Sequence, residues 1–389
     1  MAQVHRAQID AGVASVRQAV LAARLHCTPS SQELRCVGSL GFVLFAAGRM
    51  AESSSVQRQA LALAERLGDR ALAAAADGNI AGLLATIGDV PGCHEHARRA
   101  CAAYQAIGLS QDSSLRCVHL TLLGGAAAAL GAFDEALDAL QRAVGMAAGN
   151  VFPGAQAMAR LALAALWLTL GRAAPARALA ADLPAETRPG MRVRAELVLA
   201  QAARLDGRPD RSHLDRIAEL VRQHPDLPLV FSAWVEWSYQ GDPAAAVARL
   251  QAVRAQFASC GCTGTARTVL LREVARLGEI DTPAAIGDAA GHAATLLPHV
   301  ECGLSAKTYP PEAWAVLSRA FVRAGDAVSA QQCLQQAGAW IARALARVPE
   351  AHRSSFLHGN PVNRQLLADR AGGSRAGASS AMPPSAAGP

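Results

Sequence analysis

The sequence predicts an all-α solenoid, a row of helical hairpins stacked side by side, and three observations lead there. Aromatics make up only 4% of a 389-residue chain that is 51% hydrophobic, a bias toward small apolar side chains that suits close helix-to-helix contact better than a sheet. Glycine recurs after apolar stretches at Gly48, Gly88, Gly131, Gly171, Gly207, Gly241 and Gly325, at intervals of 40, 43, 40, 36 and 34 before a gap of 84 with room for two units divided at Gly278. After each glycine an apolar pattern of helical period restarts, as in FDEALDALQRAV, where Phe133, Leu137, Leu140 and Val144 share a face.

Each element follows from this spacing. A glycine after a helical run closes the helix, because it adopts the left-handed conformation without a Cβ penalty. One unit is therefore helix, turn, helix. Aligned on the turn glycine, Gly41, Ala81, Gly124, Ala164 and Ala200 stand seven residues before it, and Ser53, Cys93, Ala136, Ala176, Ser212, Ala246 and Ala330 stand five after. Leu40, Ile80, Leu123, Leu163, Leu199 and Leu317 stand eight before it, and Ala60, Ala100, Ala143 and Ala337 twelve after. Small residues on facing helices let the pair approach closely, while the large ones are buried between neighbouring units.

These columns resemble the tetratricopeptide repeat, whose first helix carries a Leu-Gly step and whose second carries alanines. The best match is WAVLSRAFVRAGDAVSAQQCLQQA, with Trp314, Leu317, Ser318, Phe321, Gly325, Ala330, Leu334 and Ala337 on the family's large and small places in order. The resemblance covers residues 30 to 345 and implies a right-handed solenoid of about eight hairpins. Trp234 stands at a place that should be small, and Arg216 and Glu219 at places that should be apolar.

The chain divides into a partial repeat or cap helix over 1–30, the repeat array over 31–347, a capping segment over 348–371 and a disordered tail over 372–389. VASVRQAVLAARL reads as the second half of a repeat without its first half, as expected of a chain cut from something longer. Near the other end, Pro349 stops a long helix, and Asn360-Pro361 supplies an N-cap and a first-turn proline. There Arg353, Phe356, Leu357, Pro361, Asn363, Arg364 and Leu367 resemble the closing piece of bacterial signalling ATPases and transcriptional activators of the STAND type. The same residues also suit a helix that simply caps the solenoid. The tail, GGSRAGASSAMPPSAAGP, has no apolar period.

Composition narrows the function classes. The net charge of +6 comes almost wholly from dispersed arginines, Lys307 being the sole lysine, and no dense basic block predicts direct nucleic-acid binding. Nine scattered cysteines read as reduced thiols of a cytoplasmic protein. No signal-peptide core and no run long enough to span a bilayer is present, so no membrane role is expected. Ser305-Ala306-Lys307-Thr308 lacks the glycine that a phosphate loop places before its lysine.

Cys93-His94-Glu95-His96 offers ligand types, but Cys93 occupies a small-residue core place, and Cys260-Gly-Cys262 is one residue too short for a redox pair. No cofactor, no metal and no catalytic set is expected, and the chain reads as a non-enzyme.

Binding is what remains. In the resembled family the first helix of each unit lines a concave groove, at thirteen, ten, six and three residues before the turn glycine. Those places hold Arg35, Phe42 and Phe45, then Gly78, Gly82, Gly125 and Ala128, then Arg194, Gln201 and Arg204, with Arg319 near the end. A smooth apolar middle with arginine on both flanks predicts a protein or peptide partner on the concave face. The expectation is the sensor or arm of a signalling or transcriptional regulator without its ATPase and DNA-binding parts; the alternative is an independent scaffold or adaptor.

Overall fold

The computed structural model describes residues 2–25, 29–108, 114–147, 153–184, 187–224 and 242–369, and among them the chain is an all-α helical-repeat solenoid. The first half runs α1 (Ala2–Arg24), α2 (Ser31–Ala46), α3 (Met50–Leu67), α4 (Arg70–Ile87), α5 (Val90–Ala106), α6 (Ser114–Ala129), α7 (Phe133–Ala147), α8 (Pro153–Thr169), α9 (Ala173–Ala181), α10 (Pro189–Leu205) and α11 (Ser212–Gln223). The second half runs α12 (Pro243–Ser259), α13 (Thr263–Leu277), α14 (Pro283–Leu296), a 3-10 turn (Leu297–His299), α15 (Pro310–Arg323), α16 (Ala327–Ala346), α17 (Glu350–Ser354) with a π turn (Ser355–Gly359), and α18 over 361–369. The divider expected at Gly241, the misfit Trp234 and the tail expected over 372–389 lie outside the described residues.

Turn chemistry explains the breaks. Gly48, Gly88, Gly131, Gly171, Gly207 and Gly325 all have φ between 71° and 93°, the region that glycine alone enters without strain. At Gly88-Asp89 and Gly325-Asp326 the next residue then caps the following helix, Asp89 accepting from the Gly92 amide at 2.9 Å and Asp326 from the Ser329 amide at 3.0 Å. Between Gly207 and Gly325 the sequence reading places a divider at Gly278, but that glycine is right-handed with φ −61°. The left-handed one is Gly261, φ 75°, which closes α12 onto α13 as a hairpin. The helical pattern is continuous across neither glycine, so only the backbone conformation separates them.

The columns of small residues are contact points within hairpins. Ser53 donates its hydroxyl to the Gly41 carbonyl at 2.8 Å, and Ser318 does the same to Ala330 at 3.1 Å, each pair twelve residues apart. At Gly124 a Cβ would lie 2.5 Å from Leu140 Cγ and 3.1 Å from the Ala136 carbonyl oxygen. Gly124 therefore admits α7 at close range, which offsets the roughly 1 kcal/mol that a glycine costs inside a helix.

Periodicity gives no sign of the next level. The second half of the solenoid runs along the turns of the first half and seats on them. Thr263 and Thr265 donate hydroxyls to the Ile87 and Thr86 carbonyls at 2.9 and 3.2 Å, across 176 and 179 residues. The Asp134 amide donates to the Arg347 carbonyl at 3.0 Å, and Asn360 Nδ2 to the Thr169 carbonyl at 2.8 Å. One apolar core spans both turns of the superhelix, with Phe133, Leu137, Leu140, Leu163 and Leu170 from the first and Leu271, Trp314, Leu317, Trp340 and Phe356 from the second. Phe133 is fully buried, edge-on to Trp340 at 6.2 Å and tilted on Phe356 at 5.2 Å.

The capping residues singled out in the sequence act as the clasp of this closure. Asn360 caps α18 by accepting from the Val362 amide at 2.9 Å, while its amide holds Thr169. Asn363 is fully buried, donates to the Phe356 carbonyl at 2.8 Å and accepts from the Tyr309 hydroxyl at 2.7 Å. Arg353 donates to the Val348 carbonyl at 3.1 Å, Leu357 packs against the core, and Leu366 enters it.

Close approach separates glycines that share one conformation. A Cβ on Gly171 would lie 2.2 Å from the Ser355 carbonyl oxygen, and one on Gly88 2.5 Å from the Gly303 carbonyl oxygen, whereas Gly207 meets nothing within 4 Å. Gly171→Ala and Gly88→Ala should each lower stability by about 3 kcal/mol or more, and Gly207→Ala by about 1–2 kcal/mol from backbone strain alone. Urea denaturation followed by circular dichroism checks this; equal losses at all three positions would contradict the seated superhelix.

Candidate functional site

The predicted groove residues fall into three groups. On α2, Leu34, Val37, Leu40, Gly41 and Leu44 form the buried face. Arg35, Ser39, Phe42 and Ala46, spaced by four, three and four residues, form an exposed stripe. Phe42 is 60% exposed, and Phe45 beside it is half-buried. On α10, Gln201 and Arg204 are exposed and Arg194 is half-buried, and on α15 Arg319 is exposed.

The middle of the expected groove departs from the prediction. Gly82, Gly125 and Ala128 are half-buried, but Gly78 is buried beneath His119, whose Nε2 would stand 1.9 Å from a Cβ placed there. The missing side chain at Gly78 gives α6 room to drive an imidazole into α4, so this glycine lines no open surface. His119 stacks on Tyr104 at 5.5 Å with planes 16° apart. Burial pushes the imidazole down to about 4, so it is neutral at ordinary pH.

The Cys-His-Glu-His run diverges. Cys93 is fully buried, and burial raises its thiol to about 12. His96 Nδ1 lies 2.7 Å from Asp77, while His94 Nε2 faces Glu135 at 3.0 Å. No three His, Cys, Asp or Glu side chains converge as a metal site among the described residues, and no described helix is long and apolar enough to cross a membrane. Cys260-Gly-Cys262 forms the tight α12–α13 turn, and Cys260 Sγ would lie 3.0 Å from a Cβ on Gly48. A cleft of about 360 Å³ is lined by Gln105, Arg116, Arg142, Gly145 and Met146, and its Arg142 is paired with Asp138 at 3.0 Å.

Sequence reasoning missed the segment between the 3-10 turn and α15. Residues 300–309 follow no repeat register, yet they reach from the second turn of the superhelix to the first: Gly303 abuts Gly88, and Ala306 packs on the apolar cluster of α4, α5 and α6. The segment carries Lys307, whose ammonium the Arg194 charge and burial hold down to about 7. The only sequence signal was the singularity of that lysine, because an irregular segment has no period from which to read a facing direction.

No protein-family model matches the chain, and no curated protein matches it. Among solved structures it is similar to a crystal structure described as Rap protein complexed with competence and sporulation factor. The two share 12% sequence identity with a TM-score of 0.53, over 90% of this chain and 99% of that one. At that identity the likeness establishes the fold, a TPR-like helical repeat.

Buried His119 gives the fold a pH dependence whose sign is fixed. Its folded-state value lies below the ordinary 6.5, so the unfolded chain takes up the proton first and stability falls as pH drops from about 6.5 toward 4. The contribution is about 3 kcal/mol, fully present above pH 6.5. His119→Phe should flatten that part of the stability profile in urea titrations between pH 7.5 and 4.5; parallel profiles for both proteins would show that the imidazole is not the source.

Proposed function

We propose that the chain is a protein- or peptide-binding module whose partner lies along the inner, first-helix face of the solenoid. The observation that carries this reading is the α2 stripe. A phenylalanine 60% exposed, flanked by Arg35 and half-buried Phe45 on a helix whose opposite face is packed, supplies an apolar anchor beside a cation, the pairing that partner helices and peptides engage. Exposed Gln201, Arg204 and Arg319 supply polar contacts at the other flank. The similar solved structure is itself a complex of Rap protein with competence and sporulation factor, which favours a bound protein or peptide factor here.

The reading is non-catalytic: a repeat surface works by presenting many weak contacts along a groove. A cytoplasmic setting fits the described cysteines, which are free thiols, five of them buried. A finer role as the arm of a signalling or transcriptional regulator rests on the resemblance at Arg353, Phe356, Pro361, Asn363 and their neighbours. Arg353, Phe356 and Asn363 are structural parts of the clasp, so the scaffold or adaptor reading accounts for the chain equally well.

A random peptide library panned against the full chain tests the proposal. Phe42→Ala should weaken the recovered binders about tenfold or more, in the range that hot-spot aromatics carry, with unchanged helicity by circular dichroism. Binders with identical affinity for both proteins would move the functional surface off α2.

A further inference from the structure

Helices α5, α6 and α7 share the cleft of about 360 Å³ lined by Gln105, Arg116, Arg142, Gly145 and Met146. Ligand clefts run from roughly 300 to 1,000 Å³, so this one suits a small molecule. Its five residues are held in place by their neighbours in the helices. On α7, Arg142, Gly145 and Met146 stand three and four residues apart and share one face, while Leu137 and Leu140 of the same helix are buried in the core. Gln105 lies in the last turn of α5 directly after buried Tyr104, and Arg116 in the first turn of α6 directly before buried Cys117. Gly145 carries no side chain, and a Cβ placed there would meet nothing within 4 Å.

The cleft is positive. No carboxylate is among its lining residues. Arg116 is half-buried and makes no hydrogen bond or ion pair among the described residues. Arg142 donates from Nη1 to Asp138 at 3.0 Å, which uses one of the five N–H donors of a guanidinium. The two arginines also act on one buried group: burial raises the Cys101 thiol to about 11, and the Arg142 and Arg116 charges both pull against that rise. With Asp138 offsetting Arg142, the charge of Arg116 is left in excess. An unpaired guanidinium fork beside the apolar Met146 and the open space at Gly145 matches a compact monoanion that carries an apolar body.

We propose that this cleft binds a small organic carboxylate, with Arg116 receiving the carboxylate oxygens, Arg142 reinforcing it, and Met146 and Gly145 accommodating the apolar body. None of these residues belongs to the groove set on α2, α10 and α15, so the site goes beyond the peptide-binding reading and does not depend on it. A phosphate dianion suits the cleft less well, because Asp138 already claims part of the second arginine.

A ¹⁹F NMR titration of 4-fluorobenzoate into the full chain tests the proposal. Binding should saturate, and Arg116→Gln should weaken it about tenfold, as expected for loss of a charge-assisted hydrogen bond. Gly145→Leu, at an exposed helical position, fills the open space and should weaken binding to a similar degree, whereas Arg319→Gln should leave it unchanged. Circular dichroism should show the same helicity in all three variants. The neutral 4-fluorobenzyl alcohol should bind roughly tenfold more weakly than the acid. Failure of 4-fluorobenzoate to saturate, equal affinity for wild type and Arg116→Gln, or equal binding of acid and alcohol overturns the site. Tighter binding of 4-fluorophenyl phosphate than of 4-fluorobenzoate overturns its assignment to a carboxylate.

Discussion

The structure depends on one constraint, the seating of the second superhelical turn on the glycine turns of the first. At Gly88 and Gly171 the backbone of the later turn passes where a side chain would otherwise stand. Left-handed glycine therefore serves two purposes at one position: it ends a helix, and it leaves room for carbonyl groups contributed from far along the chain. Hydrogen bonds at Ile87, Thr169 and Arg347 then satisfy carbonyls that a solenoid would otherwise expose along that edge.

Closure changes how the repeat array is stabilised. An open solenoid gains only nearest-neighbour contacts, so its cooperativity falls with length. Here Phe133, Trp340 and Phe356 place residues of α7, α16 and the π turn in one core, and each fully buried aromatic contributes about 2–3 kcal/mol from area alone. The clasp at Asn360, Asn363 and Tyr309 adds buried polar groups whose partners are all supplied, the condition under which such groups do not weaken a core.

Enclosure decides where charge matters. Arginine at the rim of an open groove is screened and contributes little, and Arg35 and Arg319 are exposed in that way. Arg194 differs in being half-buried on α10, where burial lowers its guanidinium. His119 shows the opposite use of enclosure: an imidazole kept neutral, stacked on Tyr104 and filling the space over Gly78.

The sequence by itself determined the helices, their pairing through small residues twelve apart, and the glycine turns, because these depend on periods of 3.6 residues and on local backbone conformation. That Arg35 and Phe42 share an outward place on α2 comes from the register of the resembled family, and both are exposed. Which turn would meet which was beyond the sequence. The contacts of Gly88 with Gly303 and of Gly171 with Ser355 join residues that share no local pattern, and the divider between α12 and α13 rests on a φ angle that Gly261 and Gly278 were equally free to adopt. Only tertiary structure decided these, since the energy that selects them comes from surfaces that come together after the helices exist.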